Sequence, residues 1–147
     1  MKTFSDVLKT KAADVEAPPL VPVGTYTGVI MPGTKIDEEK GTAEFFVKLM
    51  SAREDVDQES LTAVGGVSSL PPQRLTKWFV AKEESGQGQT DFNNKRFFVD
   101  SLGLEESMSF GEMIAQAPGR QLLVQITHTP SKGGSQMYAN IKNTAKA

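Results

Sequence analysis

The stretch Thr90–Leu102, TDFNNKRFFVDSL, decides the fold. It reads as a helix. Thr90 or Asp91 can cap it, Phe98 and Leu102 stand four residues apart on one face, and Gly103 ends it. A short second helix follows over Phe110–Gln116. Ser109 and Glu112 fit a capping box before it, Met108 and Met113 fit a hydrophobic staple, and Pro118-Gly119 stops it. The segments on both sides of this helical insert carry strand patterns instead.

Upstream, Gln73–Ala81 (QRLTKWFVA) alternates. Leu75, Lys77 and Phe79 share one face, and Thr76, Trp78 and Val80 share the other. Glu83–Gln89 reads as a flexible, glycine-containing linker from this strand to the helix. Further back, Ala43–Met50 (AEFFVKLM) puts Phe45, Val47 and Leu49 on one face and Glu44, Phe46, Lys48 and Met50 on the other. Gly24–Met31 (GTYTGVIM) is β-branched and reads as the first strand, with Gly28 suggesting a bulge. Pro32-Gly33 closes it and an acidic loop runs to Gly41. Ser51–Pro72 is a long polar connection, of the kind that is usually functional or disordered.

Downstream, Arg120–Thr129 (RQLLVQITHT) turns Leu122, Val124 and Ile126 to the core. A glycine- and serine-rich turn over Pro130–Ser135 leads to Gln136–Asn143 (QMYANIKN). There Met137, Ala139 and Ile141 share one face, and Tyr138, Asn140 and Lys142 the other. The order is β-β-β-α-β-β. Five short strands with a helix between the third and fourth is the order of an OB-fold, a five-stranded Greek-key barrel. Other α+β folds share a strand-helix-strand order. Residues 1–22 form an arm, partly flexible, with a short helix at Ser5–Ala13 ended by Pro18, Pro19 and Pro22; residues 23–147 form the barrel domain.

Composition narrows the function. The 147 residues suit one domain. There is no cysteine, which excludes disulfides, thiolate metal sites and thiol catalysis. No apolar run reaches membrane-spanning length, and Met1–Val15 has no signal-like core, so a cytoplasmic setting is expected. Net charge is −2, which argues against a uniformly basic nucleic-acid binder. The distribution is uneven, however. No acid follows Glu112, while Arg120, Lys132, Lys142 and Lys146 do, and local potential is what steers a charged ligand. His128 is the only histidine and has no nucleophile or paired acid in its pattern. The acids of Glu54–Glu59 lack the glycine and ligand spacing of a calcium loop. No enzyme, metal or cofactor is expected.

The same elements resemble a known group, the phage-encoded single-stranded DNA-binding proteins of replication and recombination modules, which have an OB-fold. Val23-Gly24-Thr25-Tyr26 resembles their opening into the first strand. Glu44-Phe45-Phe46-Val47 resembles their Phe-rich second strand, Lys77-Trp78-Phe79 their aromatic third, and Leu102-Gly103 their helix end. Gly119–Ile126 and Tyr138-Ala139-Asn140-Ile141 resemble their last two strands. The resemblance spans Pro22 to Lys142 and implies single-stranded DNA as the ligand in the host-cell cytoplasm. It leaves other replication or recombination proteins and further copies of the chain as candidate partners. One departure is the non-acidic tail Asn143–Ala147, which puts tail-mediated recruitment in doubt.

Binding a single strand needs aromatic faces for bases and cations for phosphates. Phe46 and Lys48 on the second strand, Arg74, Lys77 and Trp78 on the third, and Tyr138 and Lys142 on the last are the candidates. Lys35 and Lys40 in the first loop, Arg120 opening the fourth strand and Lys132 in the last turn complete the set. Each has a plainer reading. The lone indole of a small domain tends to be buried, and an outward Phe46 can equally cover a cross-strand neighbour. Phe97 and Phe98 read as helix packing. A rival function is a phage structural or assembly protein, with the arm and the long loop ordering against a partner.

Overall fold

The computed structural model describes residues 2–14, 20–134 and 136–147. Pro18 and Pro19, expected to end the arm helix, lie outside them. The chain is mainly β. Six antiparallel strands form one sheet: β1 (Gly24–Ile30), β2 (Lys35–Asp37), β3 (Thr42–Ala52), β4 (Gln73–Trp78), β5 (Gln121–Pro130) and β6 (Met137–Ala145). The order is β2-β3-β1-β5-β6, with β4 on the free side of β3.

The long strand β3 organises the sheet. Thr42 to Glu44 pair with β2 on one edge and with Trp78 to Thr76 of β4 on the other. Beyond Val47 that first edge is taken by β1. β2 and β1 are thus one interrupted strand, broken at Pro32-Gly33, where Gly33 takes a positive φ of 97°. The acidic loop expected after β1 holds this extra strand, so six strands stand where five were expected. The pairing shifts between Thr27 and Gly28. Gly28 lies so close to β3 that a Cβ on it would sit 2.5 Å from Val47 Cγ1.

Alternation along β3 sorts its side chains as its sequence pattern predicts. Phe45, Val47 and Leu49 are buried, and Lys48 and Met50 are exposed. Inward residues of the other strands, Tyr26, Ile30, Leu122, Val124 and Ile126, complete the sheet's contribution to the core. At roughly 1.5–3 kcal/mol for each large apolar side chain removed from water, this face is the main stabilising element.

The insert covers one end of that core. α3 (Gln87–Lys95) runs into a π-helical stretch, Arg96–Ser101, where Leu102 N donates to Phe97 O at 3.2 Å. Phe97 and Phe98 are both buried, 5.0 Å apart, and both meet Phe45; Phe98 also meets Phe79 and Phe110. Gly103, with φ 71°, ends the stretch. The helix starts at Gln87 rather than Thr90, and Gly86 gives it no side-chain cap. The residues expected as a flexible linker are therefore a 3-10 turn and a helical start. Gln87 fixes them, with Oε1 accepting from Ala81 N and Nε2 donating to Phe79 O. The last helix, α4 (Phe110–Gln116), is capped by Ser109, which accepts from Glu112 N. Its Glu112 carboxylate meets the Ser109 hydroxyl rather than a backbone N–H.

Ser51–Pro72 is also folded. β3 extends to Ala52, a helix, α2 (Gln58–Ala63), is capped by Asp57, and Val56 and Leu61 are buried. The first helix, α1, spans Phe4–Leu8, with a 3-10 turn at Ala12–Asp14, instead of one run over Ser5–Ala13. Past the arm, Val21 is buried and its carbonyl meets His128 Nε2 at 2.7 Å. His128 thus ties the arm's end to β5.

The sheet does not close. Among the described residues β4 pairs only with β3 and β6 only with β5. Residues Gln73 to Thr76 and Tyr138 to Ile141 face each other across a slot. β6 also carries a bulge. Ile141 pairs with Ile126 and Asn143 with Gln125, leaving Lys142 extra. A bulge twists a strand and breaks its ladder, and this one lies in the ladder with β5, on the strand that would have to meet β4. The closed barrel expected from the strand order is an open sheet with a side-chain-lined seam.

Candidate nucleic-acid interface

The outward faces of β3 and β4 form one strip. Register puts Phe46 opposite Arg74 and Thr42 opposite Trp78. On the other side β2 sets Lys35 opposite Glu44. Lys35 Nζ lies 5.6 Å from the centroid of the half-buried Phe46 ring. Arg74 Nε pairs with Glu44 Oε1 at 2.6 Å. This pair is on the surface and contributes at most about 1 kcal/mol, so Arg74 can exchange its carboxylate for a phosphate at little cost.

Trp78 is 57% exposed. This corrects the plainer reading of it as core. The inward place at that end of β4 is taken by Phe79, which packs on Phe98 and Phe110, and alternation turns Trp78 outward. Its backbone is held, since Asn94 Nδ2 donates to Trp78 O at 2.7 Å. A fixed strand with a free indole suits base stacking, which contributes about 1–3 kcal/mol per base.

The remaining candidates divide. Lys48 is exposed on the same face, opposite Val29. Tyr138 is 51% exposed and lines the slot together with Arg74. Arg120 sits just before β5, its carbonyl accepting from Ile30 N. Lys40 is in the β2–β3 turn, where its amide donates to Asp37 Oδ1. Lys132 is at the tip of the β5–β6 turn. Arg120 and Lys132 stand apart from the Phe46 strip in the sequence of elements, whereas Lys40 lies between two of its strands, β2 and β3. Lys77 points inward: it is half-buried, with Nζ 4.5 Å from the Phe97 centroid.

Tyr138 and Lys142 were expected on one face of the last strand. The bulge at Lys142 breaks the alternation between them. Lys142 lines a separate cavity with Lys77. Arg96 and Lys146 line it too and were missed as candidates. Only the acid-free tail could have hinted at Lys146. Nothing in the pattern of the helix marks Arg96.

Two perturbed groups near β1 are structural. Asp55 accepts from Thr25 N at 2.9 Å and from Thr25 Oγ1 at 2.8 Å, which holds its carboxyl below the usual range. Burial, helped by the Asp55 charge, pushes the Tyr26 phenol up to about 12. The Tyr26 hydroxyl donates to Pro22 O at 2.7 Å. Among the described residues no group of three potential metal-ligating side chains occurs, and no helix is long and apolar enough to cross a membrane. Fold and site together define a small antiparallel β protein that presents aromatic rings among cations on its outer face. Set against known proteins, the chain matches no family model and no curated protein.

Proposed function

We propose that this chain is a sequence-tolerant single-stranded DNA-binding protein of the phage replication or recombination type, acting in the host-cell cytoplasm and built as an OB-type barrel with one unsealed seam. The strand succession β4-β3-β1-β5-β6, with the insert after β4, supports that fold. The observation that carries the function is the strip itself: an exposed Trp78 on the face where Phe46 lies beside Lys35 and opposite Arg74. Bases stack on Phe46, Trp78 and Tyr138. Lys35, Lys48 and Arg74 follow the phosphates, with Arg120, Lys40 and Lys132 flanking. Nothing in this reading requires catalysis.

The test is a titration of Trp78 fluorescence with oligo-dT over a range of salt. Three phosphates neutralised by Lys35, Lys48 and Arg74 give a slope of log K against log salt of about −2. Phe46→Ala weakens binding about tenfold or more. Unchanged Trp78 emission and no mobility shift at low salt would sink the proposal.

One observation favours a second reading, an assembly or interaction protein. Phe4, Val7 and Leu8 are exposed on one side of α1, at 79%, 54% and 68%. Spacing of i, i+3 and i+4 is that of a helix which lies in a partner's groove. Sizing chromatography separates the readings: a large assembly that forms without nucleic acid favours the second.

A further inference from the structure

Beside the seam, between the ends of β4 and β6 and the π-helical stretch, lies a cavity of about 600 Å³. Four cations line it, Lys77, Arg96, Lys142 and Lys146, against one acid, Asp100. They come from three parts of the chain, β4, the π-helical stretch and the end of β6, on a protein whose net charge is −2. Lys77 is the inner wall. Its ammonium rests over the Phe97 ring and, among the described residues, has no carboxylate within ion-pair distance and no hydrogen bond. Ser101 and Thr144 join the helical wall to β6 through a 2.9 Å hydroxyl contact.

A half-buried cation with no counter-ion is costly unless something supplies the charge. Burial lowers the Lys77 pKa, which is the mark of that cost. The volume falls in the range of small-molecule sites. Wall charges of four against one favour a dianion over a single phosphodiester. A phosphomonoester carries about −1.5 to −2 at neutral pH and offers three acceptor oxygens.

We propose that this cavity is an anion site for a phosphomonoester, carried on a free nucleotide or on the end of a DNA strand. It goes beyond the stacking strip and does not rest on it, because none of its four cations belongs to the Phe46 and Trp78 face. Lys77 and Arg96 hold the phosphate from the inner side; Lys142 and Lys146 close on it from the seam.

Calorimetric titration of the full chain tests this with inorganic phosphate, dTMP, thymidine and acetate. The expected result is dTMP binding at least about tenfold tighter than thymidine, since charge-assisted bonds to the phosphate supply the difference. Lys77→Met and Lys146→Ala each weaken dTMP by several-fold. Lys146 is exposed near the chain's end, so its variant folds even if the other does not. Phe46→Ala leaves dTMP affinity unchanged while oligo-dT binding falls, so failure of the strip and failure of the cavity are distinct. Tighter binding of 5′-phosphorylated than of unphosphorylated oligo-dT assigns the phosphate to a strand end. Binding of dTMP without that preference assigns it to a free nucleotide. Equal binding of dTMP, thymidine and acetate, or a dTMP affinity untouched by either lysine variant, overturns the proposal.

Discussion

Strands β1 and β4 both pair with β3, and they are sealed in opposite ways. β1 is laddered on both edges, to β3 and to β5, and its inward Tyr26 and Ile30 are fully buried. β4 is laddered, among the described residues, on one edge only. Its inward residues pass from buried Leu75 to half-buried Lys77 beside a cavity. The difference separates two tasks. The β1 side holds the fold together through backbone pairing and apolar packing. The β4 side leaves backbone groups, aromatics and cations within reach of a ligand. Charge on an open edge also guards against pairing with another chain.

The sharpest way to break this contrast is to remove the packing that replaces the missing ladder. Phe98 is fully buried and touches Phe45, Phe79, Phe97 and Phe110. Phe98→Ala should destabilise the chain by about 3–5 kcal/mol in urea denaturation. A loss under 1 kcal/mol would mean that the insert is not what holds the β4 side. On the sealed side, Gly28→Ala should cost about 1–3 kcal/mol, because the new methyl must displace Val47 from 2.5 Å. Here space decides the outcome, since Gly28 is not among the glycines of positive φ.

Tyr26 provides a pH probe of the same side. Its pKa is raised from 10.0 to about 12, so the folded chain keeps a proton that the unfolded chain releases. The contribution of Tyr26 to stability is therefore constant below pH 10 and falls between pH 10 and 12, by on the order of 2 kcal/mol. Tyr26→Phe should lose that alkaline fall, at the cost of the 2.7 Å bond to Pro22 O. Urea midpoints of both chains at pH 9 and 11.5 check it, and parallel curves would refute the assignment.

The sealed side was the legible side. A period of two is enough to sort Phe45, Val47 and Leu49 from Phe46 and Lys48, because one face of β3 must be buried. Gly28 announces its own bulge. Nothing announces the bulge at Lys142, which lies in an ordinary strand sequence, and the Tyr138–Lys142 pairing fails there. β2 is only Lys35-Ile36-Asp37, too short to carry a pattern, and exists because β3 extends past the end of β1. Trp78 misled through its type. The alternation already grouped it with Thr76 and Val80, yet an indole's bulk argues for burial. The cavity could not be read at all, since Lys77, Arg96 and Lys146 meet only through tertiary structure.

The smallest expected effect lies at the seam, at Lys77. Replacing a half-buried ammonium that has no acid partner among the described residues with an apolar chain of similar length removes a desolvation cost. Lys77→Met should leave stability at pH 7 unchanged or raise it by up to about 1 kcal/mol, against the several lost at Phe98. The pH sign is opposite to that of Tyr26. The folded Lys77 pKa lies below 10.5, so the folded chain gives up its proton first. Stability then rises as pH climbs through the folded value toward 10.5, where the unfolded chain titrates too. Lys77→Met should abolish that rise while leaving the fall above pH 10 from Tyr26 in place. Urea midpoints of both chains between pH 7 and 10 decide it. A loss of 2 kcal/mol or more at pH 7 would show that the Lys77 contact with Phe97 seals the seam, and the two sides would then differ less than their ladders suggest.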